Sequence, residues 1–322
     1  MFFFIFPGQG SQQPGMGQFL FDNFQTAKYT FDEASDALRI NLKELCFNGS
    51  EQDLALTENT QPALLVNSVA TSRVLKKDFG IQCHLAAGHS IGEYSALVTA
   101  NVLPFSSAVQ AVRIRGQAMQ SAVPVGQGGM FAVMGLEPEQ VETLCQYVVH
   151  ESKLGPLSAA NFNCPGQIVI SGSTSALQWL KENVKPEQVW KENTPKRMKL
   201  IPLQVSAPFH CQMMMPAENK MREVLNEISF SDADFPVIQN FTAKSETKKE
   251  ALKENLIRQV SAPVRWMQSM ATAKTLSANT AIECGSGKVL QGLLKKIDPE
   301  FFQVSTTTSL EDLKIIEELA KG

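Results

Sequence analysis

Within the 322 residues, the stretch Gly88-His89-Ser90-Ile91-Gly92 is the one best suited to covalent chemistry. Gly-x-Ser-x-Gly is the pattern of a nucleophile elbow, a sharp strand-to-helix turn that throws a serine hydroxyl out over the end of a sheet. The glycines are needed because the turn is strained and two backbones pass close together. The pattern alone is weak, since chance produces it in roughly one chain in ten of this length. Its surroundings strengthen it: the apolar run His84–Ala87 leads in, and EYSALVTANVL has the spacing of a following helix. The alternative is a glycine-rich loop carrying an inert serine.

A serine hydroxyl at its ordinary pKa needs a base within hydrogen-bond reach. Only four histidines are present. His89 adjoins the serine, where neighbouring side chains diverge. His84 opens a buried strand, and His150 closes a helix in a polar stretch. His210 follows the strand-like LIPLQV in the loop Ser206-Ala207-Pro208-Phe209-His210. Loops at strand ends of α/β sheets are where catalytic groups are presented, so elimination favours His210.

The elements that must carry these residues alternate. Phe2–Phe6 reads as a strand, Ala63–Lys76 as a helix, His84–Ala87 as a strand and Ser106–Ala122 as a helix. This rhythm predicts a parallel sheet with helices on both faces. After the turn at 124–129 the order becomes strand (130–135), helix from Pro138, a hairpin (LSAANFN and QIVISG about Cys164-Pro165-Gly166), helix (174–184) and strand (197–205). That is the order of a split βαβ, ferredoxin-like unit. The expected organisation is an α/β-hydrolase-like domain over 1–127 plus 203–322, interrupted by a ferredoxin-like α+β insert at 128–202. PVIQNFT, a helix near Leu252–Val260, IECG and a helix from Leu310 complete the larger part.

Composition narrows the function classes. A net charge of -3 leaves no electrostatic footprint for nucleic acid. Lys185, Lys191, Lys196, Arg197 and Lys199 gather locally and read first as a solvated face. The opening MFFFIFPGQG lacks a basic start and is cut by Pro7 and Gly8, so it reads as a buried strand rather than a signal or a span. The six cysteines are scattered without CxxC spacing, as expected of reduced thiols in a cytoplasmic protein and not of structural zinc.

Several segments together carry a resemblance: FPGQGSQ (6–12), GHSIGEYSAL (88–97), RGQAM (115–119), NFNCPGQIVISG (161–172), VSAPFH (205–210), QVSAPVRW (259–266) and GSGKVL (285–290). In order and spacing the chain resembles the malonyl-CoA:acyl carrier protein transacylases of type II fatty acid synthesis and the related acyltransferase domains of polyketide synthases. The resemblance implies that Ser90 attacks the malonyl thioester and that His210 serves as base and then acid. It implies that the backbone carbonyl of Gln259 orients His210, and that the N–H groups of Ile91 and Gln9 form the oxyanion hole. It also implies that Arg115 pairs with the malonyl carboxylate, a task suited to a planar guanidinium; the bland alternative for such an arginine is a surface position. Phe209 would favour malonyl over branched groups, and Asn161 would line the cleft. The implied protein is a monomer without bound cofactor or metal. It takes malonyl-CoA as substrate and a phosphopantetheinylated acyl carrier protein as partner, the basic face near Lys185–Lys199 helping to dock it. Three other readings stand beside this one: a free-standing polyketide acyltransferase, an acyl-thioester hydrolase, and an inactive carrier-binding protein. The carboxylate clamp counts against the hydrolase.

Overall fold

The computed structural model describes residues 1–191 and 194–321. In chain order its first strands are β1 (Phe2–Phe6), β2 (Leu85–Gly88), β3 (Gly128–Met134), β4 (Leu157–Cys164) and β5 (Gln167–Ser173). They are followed by β6 (Lys199–Pro202), β7 (Val237–Ile238), β8 (Ser245–Glu246), β9 (Thr280–Glu283) and β10 (Gln303–Thr306). Two sheets result. One has six strands in the order β10-β9-β1-β2-β7-β8, all parallel except the β7–β8 pair. The other has the order β4-β5-β3-β6 and is antiparallel throughout.

The sequence FFFIF explains the centre of the larger sheet. Both faces of a strand flanked by helices must be apolar. Phe3 and Ile5 pack with Trp266, Met270 and Leu294 on one side, while Phe4 and Phe6 join the main core on the other. Behind that second face runs the helix Thr57–Asp78, buried over most of its circumference. It begins six residues before the expected Ala63, and Pro62 lies inside it. Proline removes the N–H that would have bonded the Glu58 carbonyl. Here Arg113 Nη1 donates to that carbonyl at 3.3 Å instead, so the helix runs through.

The smaller sheet has the ferredoxin-like strand order, with the helices Pro138–Ser152 and Thr174–Asn183 on one face. The last expected strand, 197–205, is shorter: β6 spans Lys199–Pro202. Pro202 sits on an edge strand, where proline is tolerated. Beyond it, Leu203 N–H bonds Met130 O at 2.9 Å and the chain turns in, so that Leu203 and Val205 become cleft wall rather than strand. The two sheets are joined by backbone. Phe162 N–H donates to Val264 O at 2.9 Å, and Val264 N–H donates to Ala160 O at 2.8 Å.

Candidate active site

Ser90 stands between the end of β2 and the helix Gly92–Thr99, with φ of 51°. A left-handed backbone at a non-glycine residue costs energy and is tolerated where surroundings over-determine it. They do so here through close backbone approach. A Cβ at Gly92 would lie 2.1 Å from the Phe6 carbonyl oxygen, and one at Gly8 would lie 2.6 Å from that of His89. The turn after β1, which carries Gln9, is thereby pressed against the elbow. Asn240, two residues beyond β7, pins the turn from the other side. Its Oδ1 accepts from Ser90 N–H at 2.7 Å, and its Nδ2 donates to Gly88 O at 2.6 Å.

His210 also has a positive φ, 59°. Its Nε2 lies 2.7 Å from Ser90 Oγ. Its Nδ1 faces two carbonyl oxygens, Gln259 at 3.0 Å and Ala262 at 3.2 Å. Carbonyls only accept, so the proton sits on Nδ1 and the Nε2 lone pair is left for the serine O–H. Arg115, on the helix Phe105–Ser121, is buried to 1% exposure. Its Nη1 donates to Gln61 Oε1 at 2.9 Å, and its Nη2 to Gln259 Oε1 at 3.0 Å and to Ser90 Oγ at 3.3 Å. Among the described residues its Nε–H has no acceptor. Likewise neither the Gln9 nor the Ile91 backbone N–H donates to another group among the described residues.

These side chains surround a cleft of about 170 Å³. Gln9, Gln61, His89, Asn161 and Asn163 make a polar wall; Met119, Met130, Val169, Leu203, Val205 and Phe209 make an apolar one. Ser90, His210, Arg115, Gln9, Asn161 and Phe209 all line it, while Ile91 is buried behind. His89 does not diverge from the site. Its ring also lines the cleft, Nε2 lies 2.8 Å from Asn163 Oδ1, and burial lowers its pKa. His84 and His150 are exposed and far from it in the fold, on Phe2 N–H and Glu151.

Four contributors were not singled out from the sequence. Asn240 and Gln61 sit in the unremarkable runs QNFT and TQPALL. The side chain of Gln259 adds to its carbonyl: Nε2 donates to Ser90 O at 3.0 Å and to Glu93 Oε2 at 2.9 Å. Glu93 itself is fully buried, and burial pushes its carboxyl up to about 7 against hydrogen bonds that pull it down. Its place in GHSIGEYSAL was the available signal.

The sequence profile of the acyl transferase domain matches residues 3–299. The chain belongs to the acyl transferase family. Among its relatives, the malonyl CoA-acyl carrier protein transacylase of Bacillus subtilis (strain 168) is 44% identical over 319 residues, covering 96% of this chain and 97% of that one. The protein of the same name from Staphylococcus aureus (strain COL) is 40% identical over 310 residues, 96% of each chain. An acyl carrier protein S-malonyltransferase of Vibrio cholerae O1 biovar eltor superposes with a TM-score of 0.90 at 39% identity, over 98% of this chain and 99% of that one. A malonyl-transacylase solved in complex with its type II polyketide acyl carrier protein gives the same TM-score and identity over 99% of both chains. Among the described residues no helix is long and apolar enough to cross a membrane.

In this acyl transferase the His210 pKa is lowered to about 3, first by burial and then by the neighbouring Arg115 charge. A group depressed in the folded state stabilises the fold only where the unfolded chain has also lost its proton. Its contribution is therefore complete above 6.5, the ordinary histidine value, and is lost as pH falls from there toward about 3. Urea unfolding of the wild type and of His210→Gln at pH 7.5 and pH 5 isolates this effect. The wild type should lose more stability than the variant on going to pH 5; equal losses would show that His210 is protonated in the folded protein.

Proposed function

We propose that the chain transfers a malonyl group from malonyl-CoA to the phosphopantetheine thiol of an acyl carrier protein, through a malonyl ester on Ser90, and so supplies fatty acid elongation. One observation carries this reading. The same Ser90 Oγ lies 2.7 Å from a neutral imidazole and 3.3 Å from a buried guanidinium. A nucleophile with its base explains acyl transfer, and the cation beside it explains why the acyl group bears a carboxylate.

The steps follow from the positions. As Oγ attacks the thioester carbonyl, Nε2 of His210 takes its proton, while the Gln259 and Ala262 carbonyls hold Nδ1–H and stabilise the imidazolium. The free N–H groups of Ile91 and Gln9 are assigned to the developing oxyanion, each such donor contributing about 3–4 kcal/mol to the transition state. Collapse breaks the C–S bond, and the proton on Nε2 goes to the departing thiolate. Coenzyme A leaves, and the carrier's thiol repeats the sequence in reverse. Phe209 and the methionines limit the acyl group to a small one, and Asn161 gives the polar wall an amide for the entering arm. A hydrolase would have no use for a cation at this cost. Transfer to a polyketide carrier is the same chemistry, and the structural relative bound to such a carrier keeps that second reading open.

The exposed residues Lys185, Lys191, Lys196, Arg197 and Lys199 lie on the smaller sheet's side of the molecule and offer a basic face to an acidic carrier. Reversing two of these charges should raise the KM for carrier and flatten its salt dependence; unchanged values would remove this face from docking.

Intact-protein mass spectrometry tests the function itself. Malonyl-CoA should leave one malonyl adduct on the wild type, none on Ser90→Ala, and the adduct should move to holo carrier protein when it is added. An adduct that decays equally fast without carrier would make the enzyme a hydrolase.

Removing one partner of a buried charge pair costs about 2–5 kcal/mol. Arg115→Ala should thus reduce kcat/KM for malonyl transfer at least about 30-fold more than for acetyl transfer. Equal losses would make Arg115 a structural residue only.

A further inference from the structure

Beneath the elbow a buried carboxylate and a buried guanidinium face each other without touching. Glu93 has no exposed surface and Arg115 has 1%. Three neutral groups donate to the carboxylate: Gln239 Nε2 at 3.2 Å, Asn240 N–H at 2.8 Å and Gln259 Nε2 at 2.9 Å. Three neutral atoms accept from the guanidinium: Gln61 Oε1, Gln259 Oε1 and Ser90 Oγ. The one residue common to both sets is Gln259, whose amide stands between the two charges.

A glutamine amide can present either end, and in most settings nothing but its neighbours decides which. Here the decision is forced. Glu93 Oε2 and the Ser90 carbonyl only accept, so both require the Nε2 end. Oε1 is thereby turned to Arg115, where it accepts at 3.0 Å. Were the amide reversed, its N–H groups would point at the guanidinium's own, and the clamp would be pushed aside. The lock also leaves the guanidinium unsaturated. A direct Glu93–Arg115 pair would occupy the fork that a substrate carboxylate needs, whereas in this arrangement the Nε–H still lacks an acceptor among the described residues.

We propose that Glu93 is a positioning residue for acyl-group selection: by fixing the Gln259 amide it aims Arg115, and it supplies the balancing charge at one residue's distance so that the guanidinium stays open to the carboxylate of the incoming acyl group. The inference rests on the reading of Arg115 as the carboxylate clamp. The backbone N–H of Glu93 donates to Ser90 O at 3.1 Å within the elbow, but its carboxylate bonds only Gln239, Asn240 and Gln259, and the effect of that carboxylate on the reaction passes through Gln259.

The test compares malonyl-CoA and acetyl-CoA as donors to holo acyl carrier protein for the wild type, Glu93→Gln and Arg115→Ala. Glutamine at 93 is isosteric but uncharged, and only one of its ends accepts. With its oxygen in place of Oε2 it keeps Asn240 N–H and Gln259 Nε2 but turns an N–H against Gln239 Nε2, so the variant removes the balancing charge and loosens the support of the Gln259 amide. Glu93→Gln should reduce the malonyl-to-acetyl ratio of kcat/KM at least about tenfold, the scale expected when a binding group is misaimed by a fraction of an ångström. The loss should appear chiefly as a raised KM for malonyl-CoA. A ratio within twofold of the wild type, with both donors slowed alike, would show that Glu93 only braces the elbow, and would overturn the proposal. A ratio changed by Glu93→Gln but not by Arg115→Ala would instead remove the clamp reading itself. Should Glu93→Gln not fold, Gln259→Leu carries the same test, since it keeps the backbone carbonyl for His210 and deletes only the bridging amide. The double variant should lose no more selectivity than either single one, because both break one linkage; additive losses would overturn it.

Discussion

A guanidinium held at 1% exposure, with only neutral atoms accepting its hydrogens, is the constraint around which this molecule is organised. Removing such an ion from water costs several kcal/mol even after relaxation, unless the protein replaces the lost solvation. The replacement here is made of dipoles. Gln61 and Gln259 supply amide oxygens, Ser90 a hydroxyl, and Tyr94 an aromatic face 5.8 Å from the guanidinium carbon. A contacting carboxylate would solvate the cation better and would also neutralise it. Solvation by dipoles keeps the charge available to an anion, and the uncompensated cost of the free protein is recovered when that anion binds.

The same cation explains the form of the catalytic pair. His210 is oriented by backbone carbonyls and not by an acid. An Asp in that place would put a negative charge near the site proposed for the acyl carboxylate. Carbonyl dipoles fix the tautomer without adding charge, and the imidazole stays neutral because burial and Arg115 both oppose its protonation. Base strength is the cost of this arrangement. On the proposed reading of Arg115 as the carboxylate clamp, pairing with the acyl carboxylate lowers the repulsion on the forming imidazolium, so a substrate with the right charge also meets the stronger base.

How much of this could be read from the sequence follows from how local each feature is. The elbow is a five-residue pattern whose glycines answer to steric contact, and Gly92 against Phe6 O shows the contact at work. The alternation of strands and helices, and the ferredoxin-like order of the insert, are likewise carried by short periodic segments. Pairing across distance is different. Ser90 meets His210 from 120 residues away, and resemblance rather than spacing brought Arg115 and Gln259 to the same place. Asn240 and Gln61 had no legible signal, because a buried amide looks, in sequence, like a surface one; Glu93 had only its place in GHSIGEYSAL, and the fold alone shows that each is enclosed. The earlier start of the helix at Thr57, ahead of the expected Ala63, was hidden for the same reason, since the rescue of the Glu58 carbonyl by Arg113 opposite Pro62 is a tertiary contact.

The insert is more than a lid resting on the larger sheet. Strand β4 is hydrogen-bonded to Val264 through Ala160 and Phe162. Val264 lies five residues after Gln259 and two after Ala262, the residues whose carbonyls hold His210. One short segment therefore orients the base through two carbonyls, anchors the cleft's polar wall through Asn161 and Asn163, and sends the Gln259 amide to Arg115. Opening the cleft by moving the insert would pull on this segment and disturb base and clamp together. Hydrogen bonds of this kind, made within a water-excluded site, resist that displacement. The cleft is thus expected to admit coenzyme A and carrier arms by threading them between fixed walls, and the geometry that selects the acyl group is the same in both halves of the cycle.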